Sequence, residues 1–291
     1  MAAEIPTARP ATVTGIHAAP RARRRRPPQF YAGAAVLGLM LVIALFAPWI
    51  SPHGYADQDL IKSLQAPAWS SGDWSHPLGT DRLGRDLLSR LMVGARVSIA
   101  VALLSVLLGG SLGTMLGLAA GYFGRRVDRL VSRVIDIQLS FPPVFLAIAI
   151  MAALGQSLVK LVVVLALVTW VQYARIARAN TLSVREREFV QAARALGAAE
   201  GRILLRHVLP SILPPLLVVG AVNMSNVILA EAALSYLGLG VQPPTPAWGS
   251  MVSEGRAAQS VAWWGTVFPG VAIAVLVIGA NLLGDGLQRE R

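Results

Sequence analysis

Gln191-Ala192-Ala193-Arg194-Ala195-Leu196-Gly197, running on to His207-Val208-Leu209-Pro210, is a polar, helix-prone stretch between two long apolar runs. Residues 174–210 around it carry seven arginines, in a chain that is 55% hydrophobic and only 14% charged. Soluble domains average about 25% charged residues, so the depletion points to a surface that largely faces lipid. The net charge of +11 comes almost wholly from arginine, since lysine occurs only at Lys62 and Lys160. A basic chain raises nucleic-acid binding as a function class. Here the arginines cluster between apolar runs, which favours a membrane-topology reading and no nucleic-acid partner.

About 20 apolar residues cross the hydrocarbon core of a bilayer. Six segments qualify: Phe30–Ile50, Val97–Phe123, Ile135–Leu154, Leu158–Tyr173, Ile212–Leu237 and Thr266–Leu283. The first is too long for the roughly 7–15-residue core of a signal peptide and reads as a retained span. The expected fold is therefore an all-α membrane protein of six transmembrane helices. Residues 1–28, rich in Pro and with five arginines between Arg21 and Arg26, read as a disordered basic cytoplasmic tail. The remainder, 29–291, reads as one transmembrane domain. Its outer loops are expected at about 51–96 and 238–265, and its large cytoplasmic loop at about 174–210.

With the N-terminus inside, the 26 Lys and Arg residues divide 19 inside to 7 outside. That bias places both termini in the cytoplasm. The inner segment Arg125–Asp136 sets Arg125, Arg129 and Arg133 on one helical face, the pattern of an interfacial amphipathic helix, with Asp136 in reach of Arg133. The outer loop after the fifth span is rich in Gly and Pro and is expected to be ordered by packing rather than by regular structure. Trp248, Trp263 and Trp264 there suit the membrane–water boundary.

Two spans carry informative side chains. The second has Ser105, Gly109, Gly113, Gly117 and Gly121, each four residues apart on one helical face. Small residues so spaced let a second backbone come close, and packing drives helix association in lipid; a hinge or pore-lining face is the alternative. The fifth span holds Asn223 and Asn226, about 60° apart on a helical wheel, and Glu231. Polar groups in a span face the protein interior or a water-filled path, so these three are candidates for a translocation path, with helix–helix hydrogen bonding as the alternative. Glu231 lies about 28 Å along the helix from Ile212, a depth that suits an ordinary interfacial charge.

Much chemistry is missing. No G-x-x-x-x-G-K-[ST] occurs around Lys62 or Lys160, so the chain has no P-loop for ATP. His17, His53, His76 and His207 show no metal-ligand spacing, and there is no cysteine, so no metal or cofactor is expected. No G-x-S-x-G elbow marks a nucleophile. An enzyme is a poor reading, and so is an ATP-driven pump complete in this one chain.

Gln191-Ala192-Ala193, three residues, Gly197, nine residues, then His207-Val208-Leu209-Pro210 resembles the E-A-A-x3-G-x9-I-x-L-P loop of ABC importer permeases, with Gln191 and His207 as departures. His76-Pro77-Leu78-Gly79-Thr80-Asp81-Arg82-Leu83-Gly84-Arg85-Asp86, with Ser89-Arg90 and Gly94-Ala95-Arg96-Val97-Ser98, looks like the outer-loop signature of the dipeptide/oligopeptide/nickel permeases, C-type subunit. Glu231-Ala232-Ala233-Leu234-Ser235-Tyr236-Leu237-Gly238, running to Gln242-Pro243-Pro244 and Trp248-Gly249, looks like a third.

The resemblance covers about residues 30–288 and implies a type I ABC importer in a bacterial inner (plasma) membrane. The implied partners are a second homologous permease subunit, two cytoplasmic ATPase subunits that bind ATP and Mg, and an extracytoplasmic solute-binding protein. The implied cargo is a di- or oligopeptide, with glutathione or a nickel chelate carried by the same fold. Val190, Gln191, Ala192, Ala193, Arg194, Ala195, Gly197, Leu209 and Pro210 are the residues to which it assigns coupling to the ATPases. Alanines favour helix, Gly197 would end a first helix, and a second, about Glu200–His207, would stop at Pro210. Arg194, Arg202 and Arg206 would pair with ATPase carboxylates. The rival class is a self-sufficient secondary carrier or channel, for which the chain lacks a convincing internal repeat.

Overall fold

A computed structural model describes residues 27–288, and every described element is helical. The basic tail expected over 1–28 falls almost entirely outside these residues, as do Arg289 and Arg291. The elements in order are α1 Pro28–Ile50, α2 Ala68–Ser71, α3 Leu87–Phe123, α4 Arg125–Leu139, α5 Pro143–Leu154, α6 Leu158–Val184, α7 Glu188–Ala195, α8 Glu200–Ile203, α9 Leu209–Tyr236, α10 Trp248–Arg256 and α11 Trp264–Gln288. Five helical runs are long and apolar enough to cross a membrane, and α4 with α5 forms a sixth, bent pair.

The centre of the bundle is the seam between α3 and α6. Ser105 Oγ donates to the Val162 carbonyl at 3.2 Å. A side chain added at Gly109 would stand 2.7 Å from the Ala166 carbonyl oxygen, at Gly113 2.8 Å from Tyr173 Cβ, at Gly117 2.8 Å from Ala177 Cβ, and at Gly121 2.8 Å from the Arg178 carbonyl oxygen. Bare α-carbons are what allow this approach, and the contact it creates takes the place of the hydrophobic drive that lipid removes. Both residue series ascend together, so α3 and α6 are parallel. The chain between them must therefore return across the bundle: α4 runs back along α6 from Arg178 toward Leu167, and α5 follows it.

That return is unusual. Ile135–Leu154 is not one helix: it breaks at Ser140-Phe141-Pro142, and α4 and α5 meet at 87°. Pro142 and Pro143 lack the N–H groups a continuous helix needs. Pro143 instead opens α5, whose 12 residues reach only about 18 Å. α4 keeps the expected amphipathic face, with Val131 and Ile135 buried. Asp136 makes no ion pair with Arg133 among the described residues; it is exposed. The acid that pairs is Asp128, whose carboxylate takes both a second contact and a 2.8 Å bond from the Arg178 guanidinium.

That pair explains why α6 outlasts the span read at Leu158–Tyr173. Arg175 and Arg178 interrupt the apolar run, yet the helix continues to Val184 because Arg178 is held by α4 and Arg185 Nη1 donates to the Gly121 carbonyl at 2.8 Å. The first eleven residues of the expected 174–210 loop are thus helix. The expected outer loop 51–96 is likewise shortened by the start of α3 at Leu87, where Asp86 caps the helix by accepting from the Ser89 amide at 2.8 Å.

α1 and α11 run antiparallel, since Gly33 lies against Gly279 and Leu283 while Gly286 lies against Phe30. The described chain begins and ends at one end of the bundle, the end that also holds α7 and α8. At the opposite end the two loops expected outside form one cap. Arg85 Nε meets Asp81 at 2.6 Å, Arg85 Nη2 and Arg90 Nη2 meet Glu254 Oε2 at 2.8 and 2.9 Å, and Arg90 Nη1 also contacts Asp81.

The later loop is not irregular throughout, because α10 lies within it. Two of its tryptophans are interior anchors rather than membrane-boundary residues: Trp248 Nε1 donates to the Leu91 carbonyl and Trp264 Nε1 to the Thr80 carbonyl, each at 3.0 Å. Indole N–H groups find partners when buried, and here those partners sit on the start of α3 and on the loop before it. Trp263 is the exposed one.

Candidate functional site

Two features merit attention as a site: the element from α7 to the start of α9, and a cavity between α5, α6 and α9. The first is built on a short helix whose end is fixed by chemistry. Gly197 has φ +76°, a conformation glycine adopts without penalty. The Gly197 amide donates to the Arg194 carbonyl at 3.0 Å and the Ala198 amide to the Ala193 carbonyl at 3.1 Å, the paired bonds of a Schellman ending. The turn sends the chain into α8.

From α8 the helix does not stop at Pro210. It passes through a π-helical turn, Leu204–Val208, and continues as α9, so that Glu200–Tyr236 is one helical run of 37 residues. In the widened turn the Leu209 amide donates five residues back, to Leu204. Pro210, which has no amide to offer, follows directly on that widened turn, a local break in the usual ladder of the kind prolines produce in helices.

Val190, Ile203 and Val208 are fully buried, in a cluster with Leu118 and Tyr122 of α3 and Tyr173, Ala177 and Val184 of α6. Ala193 and Leu209 pack on its margin. Gln191, Ala192, Ala195, Leu196 and Gly197 face outward, with Leu196 88% exposed. A Cβ at Gly197 would meet nothing within 4 Å. The element is anchored by its apolar side and offers a low, small-residue outer surface tipped by Leu196.

Arg194 is committed within the chain. Its Nη2 lies 3.1 Å from the Tyr122 hydroxyl, its guanidinium stacks 5.5 Å from the Tyr122 ring centroid, and its Nε is 3.7 Å from Glu200. The Tyr122 hydroxyl beside it pushes the Arg194 pKa upward. Glu200 bonds the same hydroxyl. Tyr122 was not singled out from the sequence; an aromatic at the end of a span carries no signal of what it will clasp. Phe189 and Leu205, exposed on the same element, were also missed. Tyr122→Phe is expected to loosen the α7–α8 turn by about 1 kcal/mol and to lower transport a few-fold, measured as initial uptake rate at matched membrane levels.

The cavity holds about 390 Å³ and is lined by Pro143, Val144 and Ala147 of α5, Leu165, Val168, Thr169 and Gln172 of α6, and Asn223, Asn226 and Ala230 of α9 among others. Asn223 is buried and Asn226 exposed, so the two amides sit at different depths of one wall. Thr169 and Gln172 join them from a helix whose polar residues the sequence reading passed over. Glu231 does not line this cavity. It is 1% exposed, not an interfacial charge, and its carboxylate accepts from Ser98 Oγ at 3.0 Å and Ser235 Oγ at 2.7 Å. The exposure expected of an interfacial charge is missing because α3 covers that face.

Against known proteins, residues 113–289 match the family described as "Binding-protein-dependent transport system inner membrane component". The chain belongs to that family. Residues 22–67 match the "N-terminal TM domain of oligopeptide transport permease C". This permease is 47% identical over 257 residues to the dipeptide transport system permease protein DppC of Escherichia coli K12, covering 88% of this chain and 86% of that one. It is 42% identical to the di/tripeptide transport system permease protein DppC of Pseudomonas aeruginosa, over 88% and 85% of the two chains. It is 39% identical to the glutathione transport system permease protein GsiD of Escherichia coli O1:K1 / APEC, over 91% and 86%.

Among solved structures, an inward-facing MetNI methionine ABC transporter chain superposes with a TM-score of 0.56 at 21% identity, over 69% of this permease and 95% of that chain. The fold is thus that of a type I ABC importer permease, and the protein is a multi-pass inner-membrane component of a transport system.

Proposed function

We propose that this permease forms half of the pathway by which an ATP-driven importer brings di- or oligopeptides into the cytoplasm. A second homologous permease supplies the other half, and a solute-binding protein delivers the peptide on the side of the two-loop cap. Two cytoplasmic ATPase subunits bind ATP and Mg and hydrolyse the nucleotide, so this subunit is non-catalytic and carries no cofactor. The α7–α8 element docks on an ATPase through Gln191, Ala192, Ala195, Leu196 and Gly197. The end of the bundle that bears the start of α1, the end of α11 and the basic α4, α6 and α7–α8 arginines is cytoplasmic, as the charge bias argues.

The observation that carries the reading is the unbroken helical run from Glu200 to Tyr236. Its base is the α8 side of the docking element, and its upper half contributes Asn223 and Asn226 to the cavity wall. A push on α7–α8 is therefore passed to the cavity wall along α9, through the π turn and past Pro214 and Pro215. The peptide assignment leans on the relatives' names, two of which specify di- or tripeptides and one glutathione.

The test is uptake into proteoliposomes holding the permease pair, the ATPases and the binding protein, with labelled dipeptide, glutathione and nickel chelate in parallel. Dipeptide accumulation that requires internal or external ATP on the ATPase side, and every partner, is expected. Accumulation of glutathione alone would move the cargo assignment. Ion-driven flux by this chain without partners would overturn the reading in favour of a secondary carrier.

A further inference from the structure

His53, His76 and Asp86 are far apart in sequence and show no ligand spacing, yet the fold brings them to one point at the end of the bundle away from α7–α8. His53 follows α1, His76 lies in the loop before α3, and Asp86 caps α3. One ligating atom from each lies within 4.8 Å of the others. His76 Nδ1 is 3.1 Å and His53 Nδ1 3.9 Å from the same carboxylate oxygen, Asp86 Oδ1. The two rings are half-stacked, with centroids 4.6 Å apart and planes 30° from parallel.

We infer that His53, His76 and Asp86 form a binding site for a divalent first-row transition ion such as Zn²⁺, bracing the end of α1 against the start of α3. Zinc bonds imidazole nitrogen and carboxylate oxygen at about 2.0–2.2 Å. Two ligands at tetrahedral angles around such an ion stand about 3.4 Å apart. The observed separations of 3.1 and 3.9 Å lie on either side of that value, and all three ligating atoms fall within 4.8 Å of one another, so the exposed His53 ring has to close on the other two ligands as the ion binds. Two imidazoles and one carboxylate select zinc-like ions over Mg²⁺ or Ca²⁺, which take oxygen ligands.

The surroundings supply what such a site requires beyond its ligands. Asp86 Oδ2 accepts from the Ser89 amide at 2.8 Å and the Ser89 hydroxyl at 2.7 Å, and the His53 amide donates to that hydroxyl oxygen at 3.1 Å. These bonds fix the carboxylate and tie the His53 backbone to it, the outer-shell orientation that metal ligands need. The Asp86 and His76 side chains are 0% and 8% exposed, whereas His53 is 38% exposed. An ion has an access route on the His53 side, and water can complete its coordination there. A plain buried His76–Asp86 pair accounts for two of these residues, but not for a third ring whose Nδ1 is turned to the same oxygen. None of the three lines the cavity between α5, α6 and α9, so the site is separate from the proposed peptide path.

The full-length chain, purified in detergent and stripped with a chelator, is dialysed against Zn²⁺ and its metal content measured, with thermal unfolding followed in parallel. The expected result is about one zinc per chain and a raised unfolding temperature. His53→Ala is the chosen variant because its side chain is the most exposed of the three and its backbone bond to Ser89 is retained. It should unfold at the wild-type temperature without metal, bind zinc more than ~10-fold more weakly and show no zinc-dependent shift. His207→Ala, at the other end of the bundle, should bind as wild type. No retained zinc, or equal retention by His53→Ala, would overturn the site. So would loss of binding in His207→Ala with His53→Ala unaffected.

Discussion

Gly113→Leu is expected to leave no folded permease. At this position a Cβ alone would overlap the Trp170 carbonyl oxygen and come within 2.8 Å of Tyr173 Cβ and 3.0 Å of the Ala174 amide nitrogen. Two of those three neighbours are backbone, so nothing there can turn aside. The helices would have to separate along a seam that runs from Ser105 to Gly121, and each step apart strands Ser105 Oγ without the Val162 carbonyl. Overpacking a soluble core costs about 1–3 kcal/mol because its neighbours relax; rigid backbone on one side and lipid on the other leave less to relax. The measurement is the fraction of membrane-inserted protein that runs as a monodisperse species after solubilisation, where a near-complete loss is expected. Gly110→Ala is the control on the same helix, since its neighbours are 3.3–3.6 Å away on the Tyr173 ring. Monodisperse, transport-competent Gly113→Leu would refute the role of the seam.

Gly197→Asp is expected to cut peptide uptake more than ~10-fold while leaving the chain inserted and folded. No atom of this chain lies within 4 Å of a Cβ built there, so the internal cost is the left-handed backbone alone, about 1–2 kcal/mol for an L-residue. The added carboxylate also stands at the C-terminal end of α7, where negative charge is unfavourable by about 0.3–1 kcal/mol. Those terms shift the turn but do not unfold the bundle, because Val190, Ile203 and Val208 remain buried. The larger loss is at the docked surface, where a small, uncharged residue is replaced by a charge. Co-purification of the ATPases should fall with uptake. Ala193→Trp should also abolish uptake, by a different route: Ala193 packs on the buried cluster, so an indole there lifts α7 off its anchor. Wild-type uptake in both variants would sink the coupling role of the element.

The contrast between those two positions shows how far the sequence could be read. The loop pattern pointed to Ala192, Ala193 and Gly197 together, but only coordinates separate Ala193, turned inward, from Ala192 and Gly197, turned outward. The glycine series was legible because i, i+4 spacing is a property of one helix. Its partner was not, since which helix lies opposite, and in which direction, is a matter of tertiary arrangement. Pro142-Pro143 marked a weak point in the third span without revealing an 87° bend.

Charge misled in both directions. Arg175 and Arg178 ended the fourth span on paper, whereas Asp128 neutralises Arg178 and lets the helix run on. Glu231 was read as an exposed interfacial charge, whereas hydroxyls from Ser98 and Ser235 allow its burial. His53 and His76 carry no local pattern at all; a site assembled from three separate segments is invisible until the chain folds.

The parallel seam between α3 and α6 also governs how the protein must be made. An antiparallel helical hairpin can close as soon as its second helix emerges, but parallel partners have to wait for the intervening chain to cross back. Gly121 cannot meet Arg178 and Thr181 until some sixty further residues have been synthesised, which takes roughly 3–12 s at 5–20 residues per second. During that interval α3 stands in the bilayer with its glycine face uncovered, leaning on α1 and, once made, on α4. Nascent chains arrested before and after residue 181 would therefore differ in kind: the earlier ones are wards of the insertion machinery, and the later ones hold their own shape.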